Sequence, residues 1–161
     1  MSKSVNYTYT DYFKQKNRIK RVIDVNLNRC REGLRVVEDT LRFVLNDEIF
    51  CKKIRTIRHN VDRVFREKYV EFIQERNSFD DIGRQFLEIS KKELHSLLIA
   101  NFKRVQESLR VLEEYCKIFN NPIISMHFKK ERYAMYMIEK SVYLKYSFLL
   151  GKKVKEVIKW D

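Results

Sequence analysis

Two stretches of the chain decide its fold, because NFKRVQESLRVLEEYCKIF at 101–119 repeats NLNRCREGLRVVEDTLRFV at 26–44. With an offset of 75, seven of the nineteen positions are identical, whereas unrelated segments of this length would match at roughly one. In both copies apolar residues recur every three or four positions, which is the period of a helix with one buried face. These residues are Leu27, Cys30, Leu34, Val37, Leu41 and Val44 in the first copy, and Phe102, Val105, Leu109, Leu112, Cys116 and Phe119 in the second.

The polar residues of the two copies agree better than the apolar ones. Five of the six apolar pairs differ, as core packing allows when the volumes are similar. Five polar pairs are identical: Asn26/Asn101, Arg29/Arg104, Glu32/Glu107, Arg35/Arg110 and Glu38/Glu113. A polar pattern that is kept more strictly than the neighbouring core indicates a functional site.

The whole chain, residues 1–161, is predicted to be a single all-α domain. The sequence contains three Gly and one Pro, which favours long helices. We expect a loose arm at 1–10 and helices over about 11–45, 47–74, 90–119 and 123–150, with a loop at 76–84 and a short C-terminal helix at 152–160. Asp47 and the Ser90–Glu93 capping box would begin the second and third helices. Two related hairpins then form an antiparallel four-helix bundle with pseudo-twofold symmetry, in which Arg58-His59 corresponds to Arg132-Tyr133.

Composition restricts the function and the environment. A net charge of +12 implies anionic partners, either nucleic acid or small phosphate-bearing molecules. No stretch is apolar enough to span a membrane and no secretory signal is visible, so we expect a cytoplasmic protein. Three unpaired Cys fit buried free thiols in a reducing compartment.

Several site chemistries are disfavoured by the sequence. The three Gly are isolated, so no Gly-rich phosphate loop exists, and the His and Cys residues lack metal-ligand spacing. A phosphate would therefore be held by Arg and Lys side chains, and Mg²⁺ by carboxylates on helices. The simplest alternative is that the Arg–Glu pairs are surface ion pairs worth about 0.3–0.5 kcal/mol each.

The order of the motifs NLNRCREGLRVVEDTLRF, IRTIRH, DDIG, ANFKRVQESLRVLEEYCK and FKKERYAMY resembles one known family. It is similar to the small all-helical hydroxymethylpyrimidine-phosphate kinases of thiamine biosynthesis, over roughly residues 18–145. The resemblance implies ATP-dependent phosphorylation of 4-amino-5-hydroxymethyl-2-methylpyrimidine phosphate to the diphosphate, with ATP and Mg²⁺ as cofactors. Members are free-standing or fused ahead of thiamine-phosphate synthase, and we expect a free-standing member here.

The candidate site residues follow from their chemistry within this resemblance. A phosphate monoester is already largely ionised near neutral pH, so the reaction needs charge neutralisation and alignment more than a strong base. The candidate catalytic residues are Glu32, Arg35, Glu107 and Arg110. The candidate substrate and ATP ligands are Asn26, Arg29, Arg58, His59, Asn101, Arg104, Gln106, Lys117, Arg132, Tyr133 and Tyr136. The candidate metal ligands are Asp39, Asp81 and Glu114, although a simple turn is the default interpretation for Asp81.

Other functions stay open at this point. A helical nucleic-acid-binding module fits the charge, but the Arg residues of the repeat alternate with Glu, which a surface that follows phosphates should avoid. Another Arg-lined helical enzyme acting on anionic metabolites, chorismate-mutase-like or nucleotide-pyrophosphatase-like, is a second alternative. A structural bundle with solvated charges is the third. We expect a small phosphate-bearing substrate with ATP as ligands, no membrane and no nucleic acid as partners, and a homodimer as one option for the oligomeric state.

Overall fold

The computed structural model describes residues 9–79, 81–85 and 93–147. Its helices are α1 (Tyr9–Asp39), α2 (Glu48–Val64), α3 (Tyr69–Gln74), α4 (Leu94–Ile118) and α5 (Pro122–Tyr146). A π-helical turn, Thr40–Val44, extends α1, and 3₁₀ turns occupy Arg66–Lys68 and Ile82–Gln85. These ranges contain helices and no strand, which confirms the all-α class.

The four long helices pack as a bundle made of two hairpins. Helix α1 packs against α2 and α4, and α5 packs against α4 and α2. The strongest association joins α1 to α4, the two helices that carry the repeat. The core is a single apolar cluster, in which ten members of the two predicted stripes are buried, from Leu27 to Leu41 and from Phe102 to Cys116. The predicted packing of the repeat is therefore correct up to the last position of each stripe.

The turns of both hairpins have the same structure, an Asn with a positive φ angle followed by an N-cap residue. Asn46 and Asn120 have φ angles of 48° and 51°, in the left-handed region that Asn tolerates better than most residues. The next residue caps the following helix: Asp47 accepts a hydrogen bond from Phe50 N at 2.9 Å, and Asn121 accepts one from Ile124 N at 3.1 Å. This confirms Asp47 as the cap of α2. Asp47 also accepts hydrogen bonds from Lys145 Nζ and Tyr146 Oη, which fastens this turn to the end of α5.

The π-helical turn explains a change in the offset between the two halves. The offset is 75 within the repeat, but it is 74 between the corresponding residues Arg58 and Arg132. Asn46 lies eight positions after Glu38, whereas Asn120 lies seven positions after Glu113. A π-helical turn holds one residue more than the α-helical turn it replaces, so Thr40–Val44 takes up the extra residue without breaking the helix. The turn also shifts the helical face, and Val44, predicted as buried, is 59% exposed.

The structure corrects three predicted boundaries. Helix α2 ends at Val64 instead of continuing to position 74, because Phe65 leaves helical geometry and packs its ring 5.0 Å from that of Phe72 and 6.1 Å from that of Phe128. The Ser90–Glu93 capping box is wrong, since Glu93 has extended backbone angles and is itself the N-cap of α4. Helix α1 already includes Tyr9 and Thr10, which were expected in the arm. Residues 1–8 of that arm, Ser90, Gly151 and the predicted helix at 152–160 lie outside the described residues.

Candidate functional site

A groove lies along the seam between α1 and α4, and we call it the central groove. It has a volume of about 530 Å³ and is lined by Asn26, Arg29, Ala100, Lys103, Arg104, Glu107, Ser108 and Val111. Three of its side chains are cationic and one is a carboxylate, and all four of these are exposed. The groove therefore brings together four predicted site residues, Asn26, Arg29, Arg104 and Glu107.

The small residues of the repeat allow α1 and α4 to approach closely. A Cβ atom added to Gly33 would lie 2.8 Å from Val105 Cγ2 and 3.2 Å from the carbonyl oxygen of Asn101. Ser108 occupies the equivalent position in the second copy and is buried beside Asn26 in the groove. These contacts pair the later part of one helix with the earlier part of the other, so α1 and α4 run antiparallel and their pseudo-twofold axis passes near Cys30 and Val105.

The repeated Asn residues serve the helices themselves. The Nδ2 atoms of Asn26 and Asn101 donate to the carbonyl oxygens of Val22 and Leu97, each at 2.8 Å. Both side chains are buried, and Asn101 Oδ1 has no hydrogen-bond partner within the described ranges. Their identical geometry explains why both were kept, and their main contact is with their own helix.

The repeated carboxylates Glu38 and Glu113 organise two further sites, which we call the Glu38 cluster and the Glu113 cluster. Glu38 accepts a hydrogen bond from Arg58 Nε at 2.8 Å, and Arg35 Nη1 lies 3.8 Å from the same oxygen. In the Glu113 cluster the same arrangement is tighter. Arg132 donates to Glu113 Oε2 through Nη2 at 2.8 Å and through Nε at 3.1 Å, and Arg110 Nη1 donates to Glu113 Oε1 at 2.8 Å.

The Glu113 cluster is larger than its counterpart because aromatic residues join it. Arg132 Nη1 donates to Tyr136 Oη at 3.1 Å, and its guanidinium lies 5.0 Å from the ring centroid of Tyr133. Burial alone would lower the pKa of Arg132, but its hydrogen bonds to Tyr136 and Glu113 outweigh that effect and raise it. At the position of Tyr133 the first half has His59, which is exposed. The two half-sites therefore differ in chemistry.

Glu114 and Lys117 extend the Glu113 cluster toward solvent. Glu114 Oε1 lies 2.7 Å from Lys117 Nζ and 2.8 Å from Arg110 Nη1. The hydrogen bond from Lys117 is the main cause that lowers the pKa of the Glu114 carboxyl. Glu114 is thus engaged in ion pairs, and its role as a metal ligand stays a prediction.

The two clusters lie at opposite ends of the α1–α4 pair. Glu38 and Glu113 are each eight residues from the pseudo-twofold axis, which places them on the order of 24 Å apart along the helices at 1.5 Å per residue. Arg35 and Arg110 belong to these two separate clusters, so the expected single cleft containing Arg35, Arg110, Glu32 and Glu107 is not formed. Antiparallel packing separates the later positions of the repeat, and it brings the earlier positions Arg29 and Arg104 into one groove.

The remaining predicted site residues lie elsewhere. Glu32 and His59 are exposed, and Asp39 is partly buried at the end of α1. Gln106 is buried on another face of α4, where its Nε2 donates to Glu139 at 2.7 Å. Asp81 accepts a hydrogen bond from Gly83 N at 2.9 Å, which is the turn that its sequence context favours. The predicted metal ligands Asp39, Asp81 and Glu114 lie on different elements. In the described part of the chain no group of three or more His, Cys, Asp or Glu residues is placed to hold a metal ion.

Glu38 and Glu113 were missing from the predicted site. The signal was present, because both belong to the identical positions of the repeat. Sequence alone does not single them out, because a carboxylate beside an apolar position of a helix is expected to face solvent. In the structure, each of the two side chains is only 4% exposed. Only the packing of α2 and α5, which bring Arg58 and Arg132 to these carboxylates, gives them their importance.

The model of the ThiD2 family matches residues 21–141, which is most of the chain. The chain belongs to the ThiD2 family. No solved structure gives a significant match.

Curated relatives of this ThiD2 family member carry the name thiamine-phosphate synthase. The protein from Prochlorococcus marinus (strain AS9601) is 35% identical over 145 residues, which cover 88% of this chain and 39% of the relative. Those from Thermosynechococcus vestitus and from Synechocystis sp. are also 35% identical, and the matches cover 79% and 84% of this chain and 36% and 37% of those proteins. The chain thus spans less than two fifths of the length of these relatives.

These relatives correct the expected activity. They support a domain of thiamine biosynthesis, as the resemblance implied, but they are named for the formation of thiamine phosphate and not for a pyrimidine-phosphate kinase. The expectation of a phosphomethylpyrimidine kinase is therefore wrong. ATP and Mg²⁺, which that expectation implied, gain no support from the relatives.

Within the described ranges, no helix combines the length and the apolar character that crossing a bilayer requires.

Proposed function

We propose that this ThiD2 domain serves thiamine-phosphate synthesis by binding a phosphate-bearing compound of that pathway, thiamine phosphate itself being the example, in the central groove. Thiamine phosphate, the compound named in its relatives, is a phosphate ester that also carries an aminopyrimidine ring. Because the chain spans less than two fifths of those relatives, we assign it ligand binding and not the complete synthase reaction.

The observation that carries the proposal is the meeting of Arg29 and Arg104 in one groove. The two residues are equivalent in the repeat, and antiparallel packing places both along the seam between α1 and α4. Guanidinium groups bind phosphate oxygens through paired, charge-assisted hydrogen bonds. Two of them along one groove suit a doubly charged phosphate monoester better than a single ion pair would.

The other groups of the groove favour a small organic phosphate over a bare phosphate ion. Glu107 supplies a carboxylate that can accept hydrogen bonds from the amino group of a pyrimidine. Val111 and Ala100 provide apolar wall for the ring. Lys103 Nζ lies 3.1 Å from Glu139 Oε1, so its charge is partly balanced within the protein.

Calorimetric titration with thiamine phosphate and with unphosphorylated thiamine tests the proposal. We expect tighter binding of the phosphate ester and an affinity about tenfold weaker or more in Arg29→Ala, the usual consequence of losing a charge-assisted phosphate contact. Arg29→Lys should retain part of the affinity. Arg63→Ala is the matched control, because Arg63 is also exposed but lies on α2, away from the groove.

Two results would overturn the proposal. One is equal affinity for thiamine and thiamine phosphate, which would show that no phosphate contact exists. The other is an equal effect of Arg29→Ala and Arg63→Ala, which would show that only net charge matters.

A further inference from the structure

A second cationic pocket lies on the outer side of α1, and we call it the lateral pocket. It has a volume of about 390 Å³ and is formed between α1 and the residues Arg76, Asn77, Ser78 and Asp81. Its charged residues are Arg18, Arg21, Asp24, Arg29, Arg76 and Asp81. Arg29 also lines the central groove, so the pocket and the groove adjoin at this residue.

The walls of the lateral pocket are fixed by contacts between its own residues. Arg76 donates to both carboxylate oxygens of Asp24 at 2.7 Å, and Asp24 is buried. Arg21 Nη2 donates to the carbonyl oxygen of Asn77 at 2.9 Å. These contacts hold the segment after α3 against α1 and define the shape of the pocket.

The charges of the pocket favour an anionic ligand. The bidentate pair of Arg76 with Asp24 is neutral, and Arg21 is already turned toward the backbone of the opposite wall. Arg18 and Arg29 then add two cations, and Asp81 adds one carboxylate. Among the lining residues that the structure describes, cations outnumber carboxylates by four to two, and such a surplus attracts an oxyanion, which Arg is the residue best suited to bind bidentately.

The duplication shows that this pocket is peculiar to the first half. With the offset of 75, Arg18, Arg21 and Asp24 correspond to Glu93, Ser96 and Ile99. The opposite wall is also peculiar to the first half, because α2 ends at Val64 whereas α5 continues unbroken to Tyr146. Both walls therefore differ from the second half, and they differ together. A binding site specific to the first half would require both walls to differ from the second half. A general need for surface charge would not require this.

We infer that the lateral pocket binds a second phosphate-bearing ligand, beside the one in the central groove and separated from it by Arg29. Its volume falls within the range of small-molecule sites. The inference rests on the proposed function only for the chemical class of the ligand. Different ligands would then lie on the two sides of Arg29, so that two anionic ligands are held next to each other with a shared cation between them.

Backbone amide NMR with inorganic phosphate as the probe tests the inference. We expect two sets of saturable shifts: one at Asn28, Asn77 and Ser78 for the lateral pocket, and one at Ala100 and Ser108 for the central groove. Arg18→Ala should weaken the first set by about tenfold or more, the usual effect of losing a charge-assisted phosphate contact, and should leave the second set unchanged. Arg18→Lys should restore part of the affinity, and Arg63→Ala should alter neither set. Arg18 is exposed, so the variant should fold, which circular dichroism checks.

The outcomes separate this inference from the proposed function. Saturable shifts in the lateral pocket that Arg18→Ala removes support the inference, even if the central groove shows none and the proposed function fails. Shifts confined to the central groove overturn it. It is equally overturned if Arg18→Ala weakens the lateral set no more than Arg63→Ala does.

Discussion

Replacing Glu113 by Gln should destabilise the protein far more than the same change at its neighbour Glu114. The Glu113 side chain is 4% exposed and accepts hydrogen bonds from two guanidinium groups. The Glu114 side chain is 41% exposed and pairs with cations at the surface. The two residues are adjacent on α4 and differ mainly in burial, so they form a matched pair of sites.

The magnitude follows from what the substitution leaves behind. Arg132 is 11% exposed and bonded to Glu113 through two nitrogens, so Glu113→Gln leaves its charge buried beside a neutral amide. Removing one partner of a buried ion pair costs about 3–5 kcal/mol. We expect a loss near the lower limit, about 3 kcal/mol, because Tyr136 still accepts a hydrogen bond from Arg132 and Gln keeps one acceptor oxygen. An exposed pair is worth about 0.2–1 kcal/mol, which is the expectation for Glu114→Gln.

Urea unfolding followed by circular dichroism measures both losses, because urea leaves ion pairs unscreened. A double-mutant cycle with Arg132→Met isolates the coupling between Glu113 and Arg132, and a coupling well above 1 kcal/mol is expected from the buried geometry. Equal losses of stability in Glu113→Gln and Glu114→Gln would refute the argument. So would a coupling energy near zero, since the cluster would then be incidental to the packing of α4 on α5.

Two further predictions concern stability. Gly33→Ala should lower the free energy of unfolding by about 1–2 kcal/mol, because the added Cβ atom would lie 2.8 Å from Val105 Cγ2. This cost of overpacking exceeds the gain in helix propensity. A variant that is more stable in urea would contradict the prediction, since it would show that α1 and α4 can move apart at no cost. Asp47 is buried, which would raise its pKa, but hydrogen bonds from Lys145 and its other donors lower that pKa to about 2. Its folded pKa thus lies below the unfolded one, so its contribution is full above about pH 4 and is lost as the pH falls toward 2. Asp47→Asn should cost about 2 kcal/mol at neutral pH and flatten the acid side of the stability profile, and an unchanged slope between pH 4 and 2 would contradict this assignment.

The repeat and its apolar period were enough to predict the helices and their pairing. Helical periodicity depends on neighbouring residues, so Leu34 and Leu109 could be assigned to the core from sequence, and both are fully buried. The break of α2 at Phe65 could not be predicted, because no Gly or Pro marks it. It arises from the contacts of the Phe65 ring with Phe72 and Phe128, which are distant in sequence or lie beyond the break.

The candidate site was predictable in its residue types and not in its grouping. The sequence indicated that Arg29, Arg35, Arg104 and Arg110 matter as a set. The structure divides this set, with Arg29 and Arg104 in the central groove and Arg35 and Arg110 in separate clusters. A repeat shows which positions are equivalent, but the distance between equivalent positions depends on how the two copies are oriented.

The sequence by itself determined that this protein is built from two copies of one charged helical hairpin, because hydrophobic period and side-chain identity are properties of the chain. Tertiary structure decided which charges meet. Antiparallel packing about an axis near Cys30 and Val105 joins the residues close to that axis and separates those far from it. Tertiary packing also gives Glu38 and Glu113 their importance. Arg58 on α2 and Arg132 on α5, which bind these carboxylates, lie 20 and 19 positions away along the chain.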